Sequence, residues 1–307
     1  MPYRMSRLGF TELNVLDLDD ALDFYVNCFG LKLVERAGEQ AYLRTWDESL
    51  AYSLVLRKAD SAGMHRFAFR TVDAEDLDYF EHRLKQHEVK YDTITSEFKR
   101  GKTLRFEVAG SGHTMELFWE MEQPGNDLSI ENPDPWPRHL KYDAINPTKI
   151  DHVVITSPES LKTIRFLEKV LEFRPSEYVM GDDDQPVGAF LRQRQAPHDM
   201  LVIPGRARGL HHLGFTIPGP DEIFRAADIL SMNKAKIDYG PGRHGATRGT
   251  TIYFFDRFGN RLETFGLSSA YQPESDQRPI IWTKGNLGTA VFYYEPRPME
   301  SFLGVYT

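Results

Sequence analysis

The chain resembles itself, and that constrains it more than any other feature, because an internal repeat dictates the plan of the whole fold. The segment RLGFTELNVLDLDDALDFYVNCFGLKL (7–33) resembles KIDHVVITSPESLKTIRFLEKVLEFRP (149–175). Each reads as an apolar strand, a polar turn and an amphipathic helix. In the second copy Leu161, Ile164, Leu167, Val170 and Leu171 fall at helical spacing. In the first, Asp19 or Asp20 is expected to cap the helix and Gly30 to end it.

The pattern recurs inside each half. MHRFAFRTVDAEDLDYFEHRL (64–84) pairs with HHLGFTIPGPDEIFRAADIL (211–230), and GKTLRFEVAGSGHTMELF (101–118) with GTTIYFFDRFGNRLETFG (249–266). The latter pair alternates as strands do, with SG and FG dipeptides supplying turns. The expected fold is α+β, four β-α-β-β-β modules paired into two similar domains, 1–145 and 146–307. The Pro-, Asn- and Asp-rich stretch 122–148 reads as a linker or irregular crossing segment. Beyond residue 267 the repeat ends, and the apolar runs 280–282 and 290–294 predict a tail that packs on the body.

Composition excludes several classes of function. The 307 residues carry 37 basic and 45 acidic side chains, a net charge of -8, which argues against nucleic acid and anionic membranes as partners. No apolar run approaches the length of a transmembrane helix, and the first residues lack the apolar core of a secretory signal. A single cysteine, Cys28, forms no internal disulfide, so a cytoplasmic protein is expected.

Overlaying the halves exposes a chemical difference. Phe10 matches His152, Arg66 matches His212, and Glu116 matches Glu263. Each residue alone has an ordinary explanation, a satisfied core histidine or a solvated carboxylate. Together, on neighbouring strands of one half, they form the two-histidine, one-carboxylate face that holds Fe(II) and leaves positions open. The first half lacks the imidazoles, so no metal is expected there. Strand parity selects His212 over His211, which shares a face with Leu213 and Phe215 and is expected to lie beneath helices.

These residues resemble a known family. The doubled plan is similar to the vicinal oxygen chelate (glyoxalase-like) fold, and the chain resembles extradiol ring-cleaving dioxygenases, most nearly those of the catechol 2,3-dioxygenase type. The resemblance covers nearly the whole chain. It rests on DHVVI around His152, LHHLGF (210–215), GPGRHGATRGTTIYFFDRFGNRLETF (240–265) and WTKGNLGTAVFYY (282–294). It implies meta cleavage of catechol or a substituted catechol by O2 to a 2-hydroxymuconic semialdehyde, in aromatic compound degradation. His152, His212 and Glu263 would ligate Fe(II), with Mn(II) sharing the same ligand set. His198 would act as acid–base residue near the oxygen site, and His244 and Tyr253 would bond the substrate's oxygens. Phe190, Ala246, Val291 and Phe302 would line the ring pocket, and the tail would cover it. The expected partners are a small aromatic diol and O2, and the expected assembly is a homotetramer.

One departure stands out: well-known catechol enzymes of the family carry histidine where this chain has Arg248. That arginine is either solvated and neutral in effect, or a cation at the pocket mouth favouring an acidic substituent. Carboxylated, chlorinated or biaryl catechols therefore stand as alternative substrates. A glyoxalase-like metalloenzyme that consumes no oxygen, or a metal-free drug-sequestering module, would be the rival readings.

Overall fold

In the computed structural model, residues 3–123, 141–296 and 300–307 are described. The first module comprises β1 (Met5–Val15), helix α1 (Leu18–Leu22, continuing as a π-helical stretch over Asp23–Cys28), β2 (Lys32–Ala37), β3 (Gln40–Arg44) and β4 (Leu54–Lys58). The second has β5 (Gly63–Thr71), α2 (Ala74–Gln86), β6 (Tyr91–Ile94), β7 (Thr103–Glu107) and β8 (Thr114–Phe118). The third runs β9 (Lys149–Ser157), α3 (Ser160–Lys169), β10 (Arg174–Met180), β11 (Pro186–Arg192) and β12 (Met200–Pro204). The fourth is β13 (Gly209–Ile217), α4 (Asp221–Met232), β14 (Ile237–Arg243), β15 (Thr250–Phe255) and β16 (Arg261–Gly266).

Local chemistry accounts for these boundaries, with one correction. Asp17, not Asp19 or Asp20, caps α1: its backbone is extended, and its side chain accepts the amide of Asp20 at 2.9 Å. The helix thus starts two or three residues earlier than expected, because the capping carboxylate must precede the orphan amides it satisfies. Gly30, at φ +86°, follows the helix end as expected. In α3 the residues Ile164 and Leu167 are buried, the amphipathic face turned inward.

The modules pair into two sheets of the same topology. The first has strand order β2-β3-β4-β1-β5-β8-β7-β6. The second reads β14-β15-β16-β13-β9-β12-β11-β10, extended by a strand from the tail, β17 (Ile280–Trp282), which runs parallel to β10. In each sheet the central pair is antiparallel, β1 with β5 and β9 with β13. The tail continues as α5 (Leu287–Val291) and α6 (Glu300–Leu303). One apolar core runs through both halves. Phe29 meets Phe215 edge-to-face at 4.9 Å, and Tyr25 donates to Asp256 at 3.0 Å. The crossing segment ties in where Asn146 donates its amide to Phe29 O.

Candidate active site

Three neighbouring strands of the second sheet carry the triad: His152 on β9, His212 on β13 and Glu263 on β16. The register brings them together through one small residue. Gly214 stands opposite His152 on one side and beside Glu263 on the other. A Cβ at Gly214 would lie 2.3 Å from Cε1 of His152, so only glycine lets that imidazole lean across the sheet. His152 Nε2 lies 2.8 Å from Glu263 Oε2 and 3.3 Å from His212 Nε2, while His212 Nε2 lies 3.2 Å from Glu263 Oε2. All three ligand atoms fall within 4.8 Å of one another, and all three residues are buried. Two imidazole nitrogens and a carboxylate oxygen converging out of water are the donor set a divalent cation takes.

Surrounding contacts set the orientation and charge of this face. Asp151 accepts His152 Nδ1–H at 2.8 Å, which turns Nε2 toward the triad. Arg194 donates to Asp151 at 2.8 Å and to Asp199 at 2.5 Å. Burial pushes the Asp151 carboxyl up, but Arg194 and His152 outweigh it and hold it down at about 2. Burial likewise works against protonation of His152, yet Asp151 and Glu263 raise it to about 9. At His212 burial prevails over Glu263 and lowers the imidazole to about 4. Burial also opposes ionisation of Glu263, but hydrogen bonds from His152, His212 and His244 hold it well below the usual carboxylate range. Thr251 Oγ1 donates to Glu263 Oε1 at 2.5 Å.

The open side of the triad faces a largely apolar cavity. His198 lines it, its ring 4.1 Å from that of His152 and its Nδ1 buried without a hydrogen-bond partner. Burial keeps that imidazole neutral. His244 Nδ1 lies 2.8 Å from Val291 O, and its Nε2 lies 2.9 Å from the Tyr253 hydroxyl and 3.3 Å from Glu263 Oε1. Burial pushes the Tyr253 hydroxyl well above its ordinary value, so it stays protonated and donates. Phe190, Ala246, Val291 and Phe302 line the same cavity, joined by Val154, Val187, Leu201 and Phe265. Among the described lining residues, Glu263 is the sole acidic or basic side chain apart from histidine. Arg248 is not among them; it is exposed, with its guanidinium 5.2 Å from the Tyr271 ring.

Sequence reading misplaced His211 and overlooked Asp151, Thr251 and Glu177. A β-bulge interrupts the β13–β9 pairing between Leu210 and His212, which breaks strict alternation. His211 therefore lines the cavity beside His212 instead of lying beneath helices. The adjacent pair Asp151–His152 was a usable signal for the orienting carboxylate. Glu177 on β10 had no such signal. Its buried carboxylate accepts Thr247 N at 2.8 Å, the Tyr271 hydroxyl at 3.1 Å and the indole N–H of Trp282, joining the His244 loop to the tail.

The first half repeats the register with other chemistry. Phe10 stands opposite Ala68, and Ala68 beside Glu116, as His152, Gly214 and Glu263 do. Glu116 accepts from Arg66 at 2.9 Å and from Arg100 and Arg105 at 2.6 Å each. Guanidinium groups thus fill the place a cation would take. Phe10, Tyr52 and Phe118 pack that face into a small apolar core.

A family model described as the glyoxalase/bleomycin resistance protein/dioxygenase superfamily matches residues 7–117 and 149–264. A metapyrocatechase from Pseudomonas sp. (strain CF600) is 37% identical over 309 residues, 99% of each chain. A manganese-dependent 2,3-dihydroxybiphenyl 1,2-dioxygenase from Geobacillus genomosp. 3 is 28% identical over 308 residues, 96% of each. Among solved structures, the 2,3-dioxygenase LapB from Pseudomonas sp. KL28 superposes with a TM-score of 0.87 at 33% identity, covering 93% of this chain and 100% of that one. The chain belongs to the glyoxalase/bleomycin resistance protein/dioxygenase superfamily. Within it, the molecule is an extradiol dioxygenase, an enzyme that opens an aromatic diol ring with O2.

Proposed function

We propose that this enzyme performs meta cleavage of catechol, or of a catechol with an uncharged substituent, using Fe(II) held by His152, His212 and Glu263. The observation that carries this reading is the convergence of those three buried ligand atoms at the foot of an apolar cavity. A divalent iron there would supply a Lewis acid for the diol oxygens and a route for electrons from the ring to O2. The protein's own groups do the rest. His244 and Tyr253, bonded to each other beside Glu263, hold the diol oxygens in place. His198, neutral through burial, takes the proton that leaves the diol and returns it to the product oxygen. Apolar side chains around the ring exclude water, and among the described lining residues none is a lysine or arginine; Arg248, exposed and outside that lining, is read as a solvated residue.

Mn(II) is the second reading for the metal, because a relative 28% identical to this chain is named as manganese-dependent. The family resemblance supports a homotetramer, and the free, buried Cys28 is compatible with a reducing cytoplasm. No helix among the described residues is long and apolar enough to cross a membrane.

The experiment is oxygen uptake with catechol after anaerobic reconstitution with Fe(II), and separately with Mn(II). We expect one O2 consumed per catechol and a yellow semialdehyde, with His152→Ala silent. Metal binding without uptake on catechol, methylcatechols and 2,3-dihydroxybiphenyl would sink the proposal.

A further inference from the structure

Three consecutive residues of β13 do three different jobs. Leu210 exchanges backbone hydrogen bonds with Thr307, at 2.5 and 3.1 Å. His212 turns its Nε2 toward the triad. Between them His211 is buried, with its Nδ1 2.7 Å from His212 Nδ1 and its Nε2 3.0 Å from the carbonyl of Phe302 in α6. Arg261 Nη1 lies 3.0 Å from the same carbonyl and 2.8 Å from His211 Nε2.

Proton bookkeeping assigns this chain of contacts a direction. A neutral imidazole carries one N–H and one lone pair. A metal on His212 Nε2 needs the lone pair there, which puts the proton of His212 on Nδ1. Among the described residues that proton has one acceptor in reach, His211 Nδ1, so His211 must carry its own proton on Nε2 and donate it to Phe302 O. The opposite arrangement, with Arg261 donating to His211 Nε2, places a proton on His212 Nε2 and blocks a metal ligand.

We propose that His211 is a positioning residue, which holds ligand His212 in its metal-binding tautomer and ties that tautomer to the carbonyl of Phe302 in the tail. His152 has a carboxylate, Asp151, for the same task; His212 has a neutral imidazole that hands the proton on to the segment lining the cavity. Metal and tail are then coupled reciprocally: occupancy of the triad strengthens the His211–Phe302 bond, and a seated tail favours the metal-binding tautomer. The proposal rests on the triad reading above.

Two near-isosteres separate the two contacts. Asparagine can accept near the position of Nδ1 but cannot reach Phe302, whereas glutamine reaches toward Phe302 but leaves the Nδ1 position empty. The probe is Mn(II), titrated into metal-stripped protein with the free ion counted by its EPR signal, alongside limited proteolysis of residues 283–307. We expect His211→Gln to bind Mn(II) roughly 10–100-fold more weakly, the usual cost of losing an outer hydrogen-bond partner, with the tail still protected. We expect His211→Asn to bind within about threefold of wild type, with the tail cleaved faster whether or not Mn(II) is present. Equal Mn(II) affinity in wild type, His211→Gln and His211→Phe would overturn the proposal, and so would a tail equally protected in all variants. Wild type that binds no Mn(II) or Fe(II) would instead sink the triad reading. Circular dichroism melts exclude any variant that fails to fold, and the Asn and Gln variants each test one contact if the Phe variant does not.

Discussion

At the scale of single residues, His152 shows how its surroundings set the chemistry of a proposed metal ligand. Asp151 and Glu263 raise it to about 9 against the cost of burial, so in metal-free protein it is protonated at neutral pH. Metal must displace that proton. Apparent affinity should therefore climb by about tenfold per pH unit between about pH 7 and 9, then level off, as read by competition with a chelator. The stability of the metal-free protein should move the other way. A folded value above the unfolded one stabilises below about pH 6.5, and that contribution disappears as pH rises through about 9, so the melting temperature should fall over that span. A flat affinity profile would show that His152 does not carry the proton. His198 makes a different prediction. Because it touches the cavity and lies outside the triad, His198→Ala should leave Mn(II) and catechol binding intact and lower kcat by about 10²–10⁴. Unchanged turnover would remove its acid–base role.

At the scale of elements, the tail is more than a covering. β17 joins the edge of the second sheet, and Trp282 donates to the buried Glu177, which also holds Thr247 behind the His244 loop. Leu287, Val291 and Phe302 face the cavity from α5, α6 and their surroundings. A chain ending at Pro296 loses the Phe302 ring, which packs 5.0 Å from Tyr253 and 4.9 Å from His211. Losing a buried aromatic contact of this kind should raise the KM for catechol about tenfold or more. Steady-state kinetics of that truncation check it, and an unaltered KM would count against closure by the tail.

At the scale of the whole molecule, the two halves share a plan but not a task. The doubled topology supplies two equivalent strand triplets, and only one places imidazoles at the positions of His152 and His212. In the other, Arg66, Arg100 and Arg105 neutralise Glu116, and Phe10 fills the space with a ring. Anaerobic reconstitution followed by metal analysis should give one tightly bound ion per chain, lost in His212→Ala. Two tight ions per chain would contradict that division of labour.

Much of this is legible in the amino-acid sequence. Repeats expose the module plan because each module carries its own hydrophobic period, and period is local. Overlaying them also located His152, His212 and Glu263, since equivalent positions in a repeat share a place in the sheet whatever residue stands there. The pairing Phe10–Ala68–Glu116 against His152–Gly214–Glu263 bears that overlay out. What the sequence could not decide are matters of contact between distant segments. Alternation alone put His211 on the wrong face, because a bulge depends on the partner strand and leaves no trace in the strand's own pattern. Nor does any local signal tell that Gly214 must be small to admit an imidazole from another strand, that Glu177 gathers Thr247, Tyr271 and Trp282, or that none of the described residues lining the cavity is a lysine or arginine. Secondary structure and repeat equivalence are written in neighbouring residues; the shape, polarity and closure of a cavity are sums over residues that meet only once the chain has folded.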